Sequence, residues 1–401
     1  MDELATVSGS RAATRGAWNV LAVAVVAQVG YSVLDQGIPL LTGFIKSDLG
    51  VSAFRAGLAV SAFLIGKIFG SYAAGVAADR LGERRVLAAG GFATAALVVT
   101  SILLPVPWVF VVLVCAGLAS AAGTPAGGRL VVHAFPPHRR GLVLGIRQTA
   151  IPIGGLIAAA VLPWVAHAHG WRWSLAVAAA LTAVAVLPLT RMRADDSDAV
   201  RDRARLSAWS PARDRNIRLL TLWGCLLVTG QFAVLAFLAV DLHGGAHLSL
   251  AAASLLVIVV QAAGIVGRVL WGAVSDRILT RGRKPVLVAL TGAAVAAAAV
   301  LFATPRSAPP AVLVGVAALA GLALVGYQGL WVTMVAEAAG PDRVGAATGF
   351  AVTFVVASIA LTPPLYGLVA DAFGTFRAVW GALTIVLAFA FVPALLVEER
   401  V

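Results

Sequence analysis

The sequence predicts an all-α integral membrane protein of about twelve spanning helices, arranged as two six-helix bundles related by pseudo-two-fold symmetry. Three observations predict it: a composition too apolar for water, a series of apolar runs of spanning length, and loop signatures that recur in both halves of the chain.

Composition comes first. Of the 401 residues, 60% are hydrophobic and 12% charged, and the mean hydropathy is +0.95. A soluble globule is about 45–50% apolar and about 25% charged. A larger core does not close that gap, because single cores stop growing with chain length. Lipid must therefore be the solvent for most of the surface. The net charge of +12 does not point to nucleic acid. The basic residues sit in short gaps between apolar runs rather than on a stripe with aromatics, where the positive-inside rule accounts for them. Cys115 and Cys225 fall inside apolar runs and read as small hydrophobes. Asp2, Glu3, Arg11 and Arg15 precede the first run, with no cleavage-like site after it, so an uncleaved first helix is expected. Arginine outnumbers lysine (Lys46, Lys67 and Lys284 alone), which with the Ala and Gly excess hints at a bacterial source and a cell inner membrane.

A spanning helix needs about 20 mostly apolar residues. Such runs lie at 17–41, 54–78, 85–104, 108–132, 141–165, 172–191, 216–240, 250–274, 285–304, 310–336, 344–368 and 376–397. The one long polar stretch, 191–217, divides the chain into a bundle at 1–190 and a bundle at 218–401, and is expected to be a cytoplasmic linker. With the N-terminus inside, the inner loops collect Arg80, Arg84, Arg85, Arg139, Arg140, the linker, Arg277, Arg281, Arg283 and Lys284. The outer loops collect only Lys46, Arg55, Arg172, Arg306 and Arg377. That asymmetry places both termini in the cytoplasm.

The halves repeat one another. Gly75-Val-Ala-Ala-Asp79-Arg80-Leu-Gly82-Glu-Arg84-Arg85 follows the second span, and Gly272-Ala-Val-Ser-Asp276-Arg277, then Arg281-Gly-Arg283-Lys284, follows the eighth. Pro137-His-Arg139-Arg140-Gly141 precedes the fifth span and Pro341-Asp-Arg343-Val-Gly345 the eleventh. Parallel repeats of six helices are one architecture of secondary transporters.

These loops resemble the major facilitator superfamily over essentially the whole chain, the run at 75–85 being similar to its most specific motif. Leu34-Asp35 with Ile38-Pro39, and then Asp48-Leu-Gly50-Val-Ser52, also resembles that family's first-helix exit. The resemblance implies two bundles rocking about a central cavity lined by the first, fourth, seventh and tenth helices. One departure stands out: Gly82 has no counterpart at the same spacing after Arg277. The motif also makes physical sense. Gly75 and Gly272 permit close helix approach. Asp79 and Asp276 can accept charge-assisted bonds from arginines or a helix N-terminus, so Gly75, Asp79, Arg80, Gly272, Asp276 and Arg277 are the expected gate. Topology anchoring alone is the competing reading.

Charges at depth are the sharper signal, since a lone cation in a span costs at least about 2.5–3.5 kcal/mol. Lys67 is nearly central in the second span. Arg147 lies some seven residues into the fifth, roughly 10 Å at 1.5 Å per residue, and Arg268 sits at similar depth in the eighth. The repeat places Lys67 opposite Gly264, one turn from Arg268, so each half is expected to present a cation to the cavity, with Gln261 on the face of Arg268. Converging cations suit a small anionic substrate. Bracing of the inner gate by Arg147 and Arg268 is the bland alternative. The run 267–277 also resembles the eighth helix of organic-anion members, which implies that Arg268 meets a substrate carboxylate.

Gln28, Tyr31 and Asp35 share one face of the first span. Asp35 is the candidate proton-coupling group, because partial burial favours its protonated form. Gln231, Tyr327, Gln328 and Trp331 are the matching candidates in the seventh and tenth spans, to be weighed against simple packing. Gly145-Ile-Arg147-Gln148-Thr-Ala-Ile-Pro152-Ile-Gly154-Gly155 is similar to the fifth-helix motif of drug exporters, except that Ile151 stands where Gly is expected before the Pro.

The sequence thus predicts a monomeric secondary active transporter that moves a small organic anion by alternating access, as a proton symporter. A proton-driven efflux transporter of drugs or metabolites is the alternative. No nucleophile–base pair points to an enzyme. No phosphate-binding Gly-Lys-Ser/Thr loop points to ATP driving, and no cofactor or metal is expected.

Overall fold

The computed structural model describes residues 2–50, 53–192, 211–245, 248–278, 282–305 and 307–398. Among these described residues, twelve helices are long and apolar enough to cross a membrane. They are α1 (Gly16–Leu40), α2 (Val60–Leu81), α3 (Glu83–Leu103), α4 (Trp108–Ala134), α5 (Pro137–His169) and α6 (Trp171–Arg191), then α7 (Arg215–Leu242), α8 (Leu255–Arg277), α9 (Lys284–Ala303), α10 (Pro310–Ala339), α11 (Pro341–Phe373) and α12 (Arg377–Leu396). No strand occurs among the described residues. That is the expected outcome for apolar chain in lipid, where every backbone N–H and C=O must be paired within its own segment.

The outer surface is what lipid requires. Phe69, Leu103 and Trp164 are 73%, 82% and 71% exposed, an arrangement that water would penalise at about 25 cal/mol per Å². Cys115 belongs to that exposed surface and Cys225 is half-buried. Of the loop residues used to orient the chain, linker positions 193–210, Arg281 and Arg306, with the side chains of Lys46 and Arg55, lie outside the described residues.

Each half is packed in the same way. In the first, α1 lies on α5 and α6, α2 on α4, and α3 on α6; in the second, α7 lies on α11, α8 on α10, and α9 on α12. The halves meet along α2 with α11 and along α5 with α8. The recurring loops between α2 and α3, α4 and α5, α8 and α9, and α10 and α11 gather at one end, called the basic end below. There Gly75 faces Gly345 and Gly272 faces Gly141, each glycine set against the partner's backbone so that a Cβ would collide with it. The second-half loop also proves closer to the first than its spacing suggests. Gly282, with φ of 79°, precedes Arg283 as Gly82, with φ of 92°, precedes Glu83. The counterpart of Gly82 exists, displaced by an insertion, and a fixed-spacing comparison passes over it.

Among the described residues α12 turns at Ala390, and three further spans are interrupted closer to mid-membrane. α4 turns at Ala121–Ala122, α5 at Thr149, and α10 carries a π-helical segment, Gly321–Val325, followed by a turn at Gly326–Tyr327. Breaks of this kind present backbone carbonyls sideways and concentrate at functional sites.

Candidate functional site

At the basic end two carboxylates cross between the halves. Asp79 of α2 accepts from the backbone N–H groups of Gly345 (2.9 Å) and Ala346 (2.7 Å) in the first turn of α11. Asp276 of α8 accepts from those of Gly141 (3.0 Å) and Leu142 (2.7 Å) in α5. Each acid thus sits on the N-terminal turns of a helix from the opposite half, where unpaired N–H groups and the helix dipole favour negative charge. Arg80 and Arg277, expected as gate partners, lie exposed. The buried bases are different residues. Arg129 of α4 ion-pairs with Asp79 at 3.0 Å, contacts Glu83, and donates to the Ala78 carbonyl at 2.8 Å. Arg283 donates to Asp276 (2.8 Å) and to both oxygens of Glu337 (2.8 and 2.9 Å). Burial alone would pull the Arg283 guanidinium down, but hydrogen bonds and charge from Glu337 and then Asp276 outweigh it and hold it above its ordinary value. The polarity of the two clusters is reversed. In the first half the loop supplies the acid, Glu83, and α4 the bases, Arg129 and His133; in the second the loop supplies the base, Arg283, and α10 the acid, Glu337.

Deeper in, the three expected cations do not form one set. Counting from the basic end, Arg147 and Arg268 lie about 15 and 14 Å in, whereas Lys67 lies about 21 Å in, at 1.5 Å per residue. Lys67 is ion-paired with Asp35 at 2.5 Å, and Ser120 of α4 donates to the other Asp35 oxygen at 3.1 Å. Lys67 is therefore a partner of Asp35 within the first half, and the expectation of one matched cation per half from α2 and α8 gives way to this pair. The physical reason is depth: fourteen residues separate Lys67 from the end of α2, but only nine separate Arg268 from the end of α8.

Arg147 and Arg268 occupy the helix breaks. Arg147 is fully buried. Its Nη2 donates to Gln28 Oε1 and to the Gly123 carbonyl, both at 2.6 Å, beside the break in α4, and Gln28 is itself tied to Ser32 at 3.3 Å. Arg268, also buried, bridges the halves. Its Nε donates to the Val325 carbonyl of the π segment (3.3 Å) and its Nη1 to the Gln148 carbonyl beside the break in α5 (3.0 Å). Around them several buried polar atoms lack a hydrogen-bond partner: Nε and Nη1 of Arg147, Oε1 of Gln148, the hydroxyl of Tyr327 and Oε1 of Gln328. Two of these residues are consecutive on α5 and two on α10, the helices that Arg268 joins. Each unmet buried polar group costs about 1–3 kcal/mol, which makes their grouping a feature to be explained rather than noise.

The remaining candidates divide. Gln231 pairs with Gln328 at 3.0 Å across α7 and α10, and Gln261 is half-buried on α8. Tyr31 donates to the Leu87 carbonyl of α3 (2.7 Å) and Trp331 to the Leu220 carbonyl of α7 (2.9 Å). Their polar handles face neighbouring helices of their own half, the packing alternative weighed for them above. Arg129, His133 and Glu83 form part of the site and were not singled out by sequence. The available signal was Arg129, a charge inside the apolar run of the fourth span; the run 127–134 gives no other hint of what it meets.

The family model described as Major Facilitator Superfamily matches residues 20–354 and 245–401. The chain is 31% identical over 372 residues to the uncharacterized MFS-type transporter Rv2994 of Mycobacterium tuberculosis, covering 87% of this chain and 78% of that one. It is 29% identical over 147 residues to the hexuronate transporter of Bacillus subtilis, covering 35% of this chain and 33% of that one. Among solved structures, FucP in the outward conformation superposes with a TM-score of 0.74 at 18% identity, covering 95% of this chain and 99% of that one; it is a fucose:proton symporter of E. coli. Twelve spans in two packed repeats, laced at one end by the recurring loops, and a family match over most of the length lead to one assignment: the chain belongs to the major facilitator superfamily and is a multi-pass membrane secondary transporter of a small molecule, not an enzyme.

Proposed function

We propose that this protein is a proton-coupled carrier of a small organic anion, working by alternating access, with both termini in the cytoplasm and the linker region 191–217 joining bundles 1–190 and 218–401 on that side. One observation carries the reading. Arg147 is completely buried, has no carboxylate partner among the described residues, and keeps two guanidinium nitrogens unpaired beside a second buried arginine. A cation in that position needs an anion, and the planar donors of Arg suit a carboxylate held by two bonds. Gln28 and the Gly123 carbonyl orient the guanidinium, Arg268 supplies a second positive charge across the interface, and Gln148, Gln231, Gln261, Tyr327 and Gln328 offer polar contacts. The name of the hexuronate transporter, whose substrate carries a carboxylate, is in keeping with this reading.

Asp35 is the proposed coupling group. As an anion it holds Lys67 and Ser120; on taking a proton it releases the lysine ammonium, changing the packing of α1, α2 and α4. Gly75, Asp79, Gly272 and Asp276, backed by Arg129 and Arg283 rather than by the exposed Arg80 and Arg277, form the proposed gate at the cytoplasmic end. Opening it requires both acids to leave the helix termini they cap.

A second reading, proton-driven efflux, draws on α5, where Gly154 packs against the Ser32 side chain and the Val29 carbonyl of α1 and Pro152 leaves a bendable helix. A thermal-shift screen of purified protein against carboxylates, inorganic anions, neutral sugars and lipophilic cations separates the two. Stabilisation by a carboxylate, abolished in Arg147→Gln, is expected. Stabilisation by lipophilic cations alone overturns the anion reading.

A further inference from the structure

We infer that His133 is a proton-dependent brace of the gate: as an imidazolium it ties Glu83 of the first half to the Pro341 carbonyl of the second, and on losing a proton it lets go of one of them. This rests on the alternating-access reading above and adds a regulator to it. The geometry is direct. His133 Nδ1 lies 2.9 Å from Glu83 Oε1, and Nε2 lies 2.9 Å from the Pro341 carbonyl oxygen. A carbonyl only accepts. The Glu83 carboxylate, held also by Arg129, is ionised and only accepts as well. Both ring nitrogens must then donate, and a neutral imidazole has a single N–H. The closed gate of this structure therefore contains a charged histidine.

The second half shows what this choice means. There Arg283, which stands at the loop position of Glu83 rather than at that of His133, does the same two things: it binds the acid Glu337 and donates from Nη2 to the Pro137 carbonyl at 3.0 Å. Pro137 and Pro341 open the equivalent helices, α5 and α11. One crossing is thus braced by a guanidinium, which stays charged at every physiological pH, and the other by the one side chain whose charge ordinarily changes in that range. The two halves are built alike but only one brace titrates.

The sign follows. At low pH His133 carries both protons and the cytoplasmic end is held shut; as pH rises, the second donor is lost and opening becomes easier. Other ionisable groups stand on the elements packed here: Asp79 and Arg80 on α2, Glu83, Arg84 and Arg85 on α3, Arg129 on α4 itself, His138, Arg139 and Arg140 on α5, Glu337 on α10, and Asp342 and Arg343 on the turn with Pro341. Within Gly16–Leu40, α1 carries only Asp35, far from this end. The acids act in the opposite sense, since protonating Asp79 or Glu83 at low pH weakens the closed end. His138 shares the sign of His133 and is exposed, so a substitution must separate the two.

The experiment is double electron–electron resonance on full-length protein in nanodiscs, with spin labels on Arg85→Cys and Arg277→Cys, both exposed and in opposite halves, after Cys115→Ser and Cys225→Ala. Between about pH 5.5 and 8.5 the ratio of the long-distance to the short-distance population should rise roughly tenfold, the weight of one hydrogen bond to a charged group. In His133→Gln, whose charge does not change with pH and whose single amide nitrogen does not reach both acceptors as the two ring nitrogens do, the ratio should stay flat within about twofold and near its high-pH value. A flat profile in the parent, a fall with rising pH, or an unchanged slope in His133→Gln each overturns the proposal. Asp79→Asn in the same background should favour the long distance at every pH. If it does not, this end is no gate and the proposal falls with that reading; if it does while pH has no effect, only the role of His133 falls.

Discussion

The basic end and the mid-membrane cluster both bury charged groups but treat them oppositely. At the basic end the buried acids that join the halves each meet a base: Asp79 with Arg129, Asp276 and Glu337 with Arg283, Glu83 with Arg129 and His133. Around Arg147 and Arg268 there is no such match. Two cations are anchored by carbonyls and one amide, and donor and acceptor atoms are left over. A lock works when its own residues complete one another in one state and part in the next. A binding site works when they do not, because unmet groups leave something for the substrate to satisfy. The difference between the two regions is therefore itself a functional signal, and it can be tested from both sides.

The largest effect is expected in the cluster. Arg147→Gln and Arg268→Gln should each lower uptake of a carboxylate substrate into proteoliposomes roughly 100-fold, the weight of about 3 kcal/mol of charge-assisted bonding. Near-parent uptake in both would dissolve the distinction between site and lock. Next in size is the lock. Gly345→Val sets a side chain against the Gly75 carbonyl and the Asp79 carboxylate, so the backbone contact and the crossing acid are both displaced. The basic end should no longer close, and substrate exchange driven from the opposite side should fall at least about tenfold with the fold intact by circular dichroism. Retained exchange would mean that the contact of α2 with α11 does not govern access.

Asp35→Asn comes third. Lys67 loses its counter-charge, and accumulation driven by a pH gradient should drop roughly tenfold, while counterflow with no gradient persists. Gradient-driven accumulation at the parental level would remove Asp35 from the coupling. The smallest effect is Trp331→Phe. Its indole N–H serves the Leu220 carbonyl of α7, so thermal stability should fall by about 0.5–1.5 kcal/mol with substrate affinity unchanged. A large change in affinity with stability intact would move Trp331 from packing into the site.

The spans were readable because lipid imposes a single rule, about 20 apolar residues per crossing, and the predicted boundaries fall within a few residues of the helices for most of them. Those that missed did so at breaks and caps. The fifth span begins at Pro137 rather than 141, because its polar first turn is the part that receives Asp276. Buried arginines at 147 and 268 were visible as charges in apolar runs. Their surroundings were not: nothing in the local sequence says that Gln148 lends Arg268 its carbonyl, or that Leu322-Ala-Leu-Val325 adopts a π turn. Arg129 shows the same limit in reverse, an obvious charge whose partners Asp79 and Glu83 lie 50 and 46 positions away.

By itself the sequence determined the solvent, the number of crossings, the duplication and the positions of the loops that join the halves, because each is written in composition or in local recurrence. Only the tertiary structure decided which charge meets which. It paired Lys67 with Asp35, set Arg129 and Arg283 behind the crossing acids in place of Arg80 and Arg277, and gave the two halves charge clusters of opposite polarity. The reason is physical. Hydropathy is a property of each residue and adds along the chain, whereas an ion pair in a low-dielectric interior depends on depth, on direction and on a few tenths of an ångström, and those are fixed by how distant helices come together.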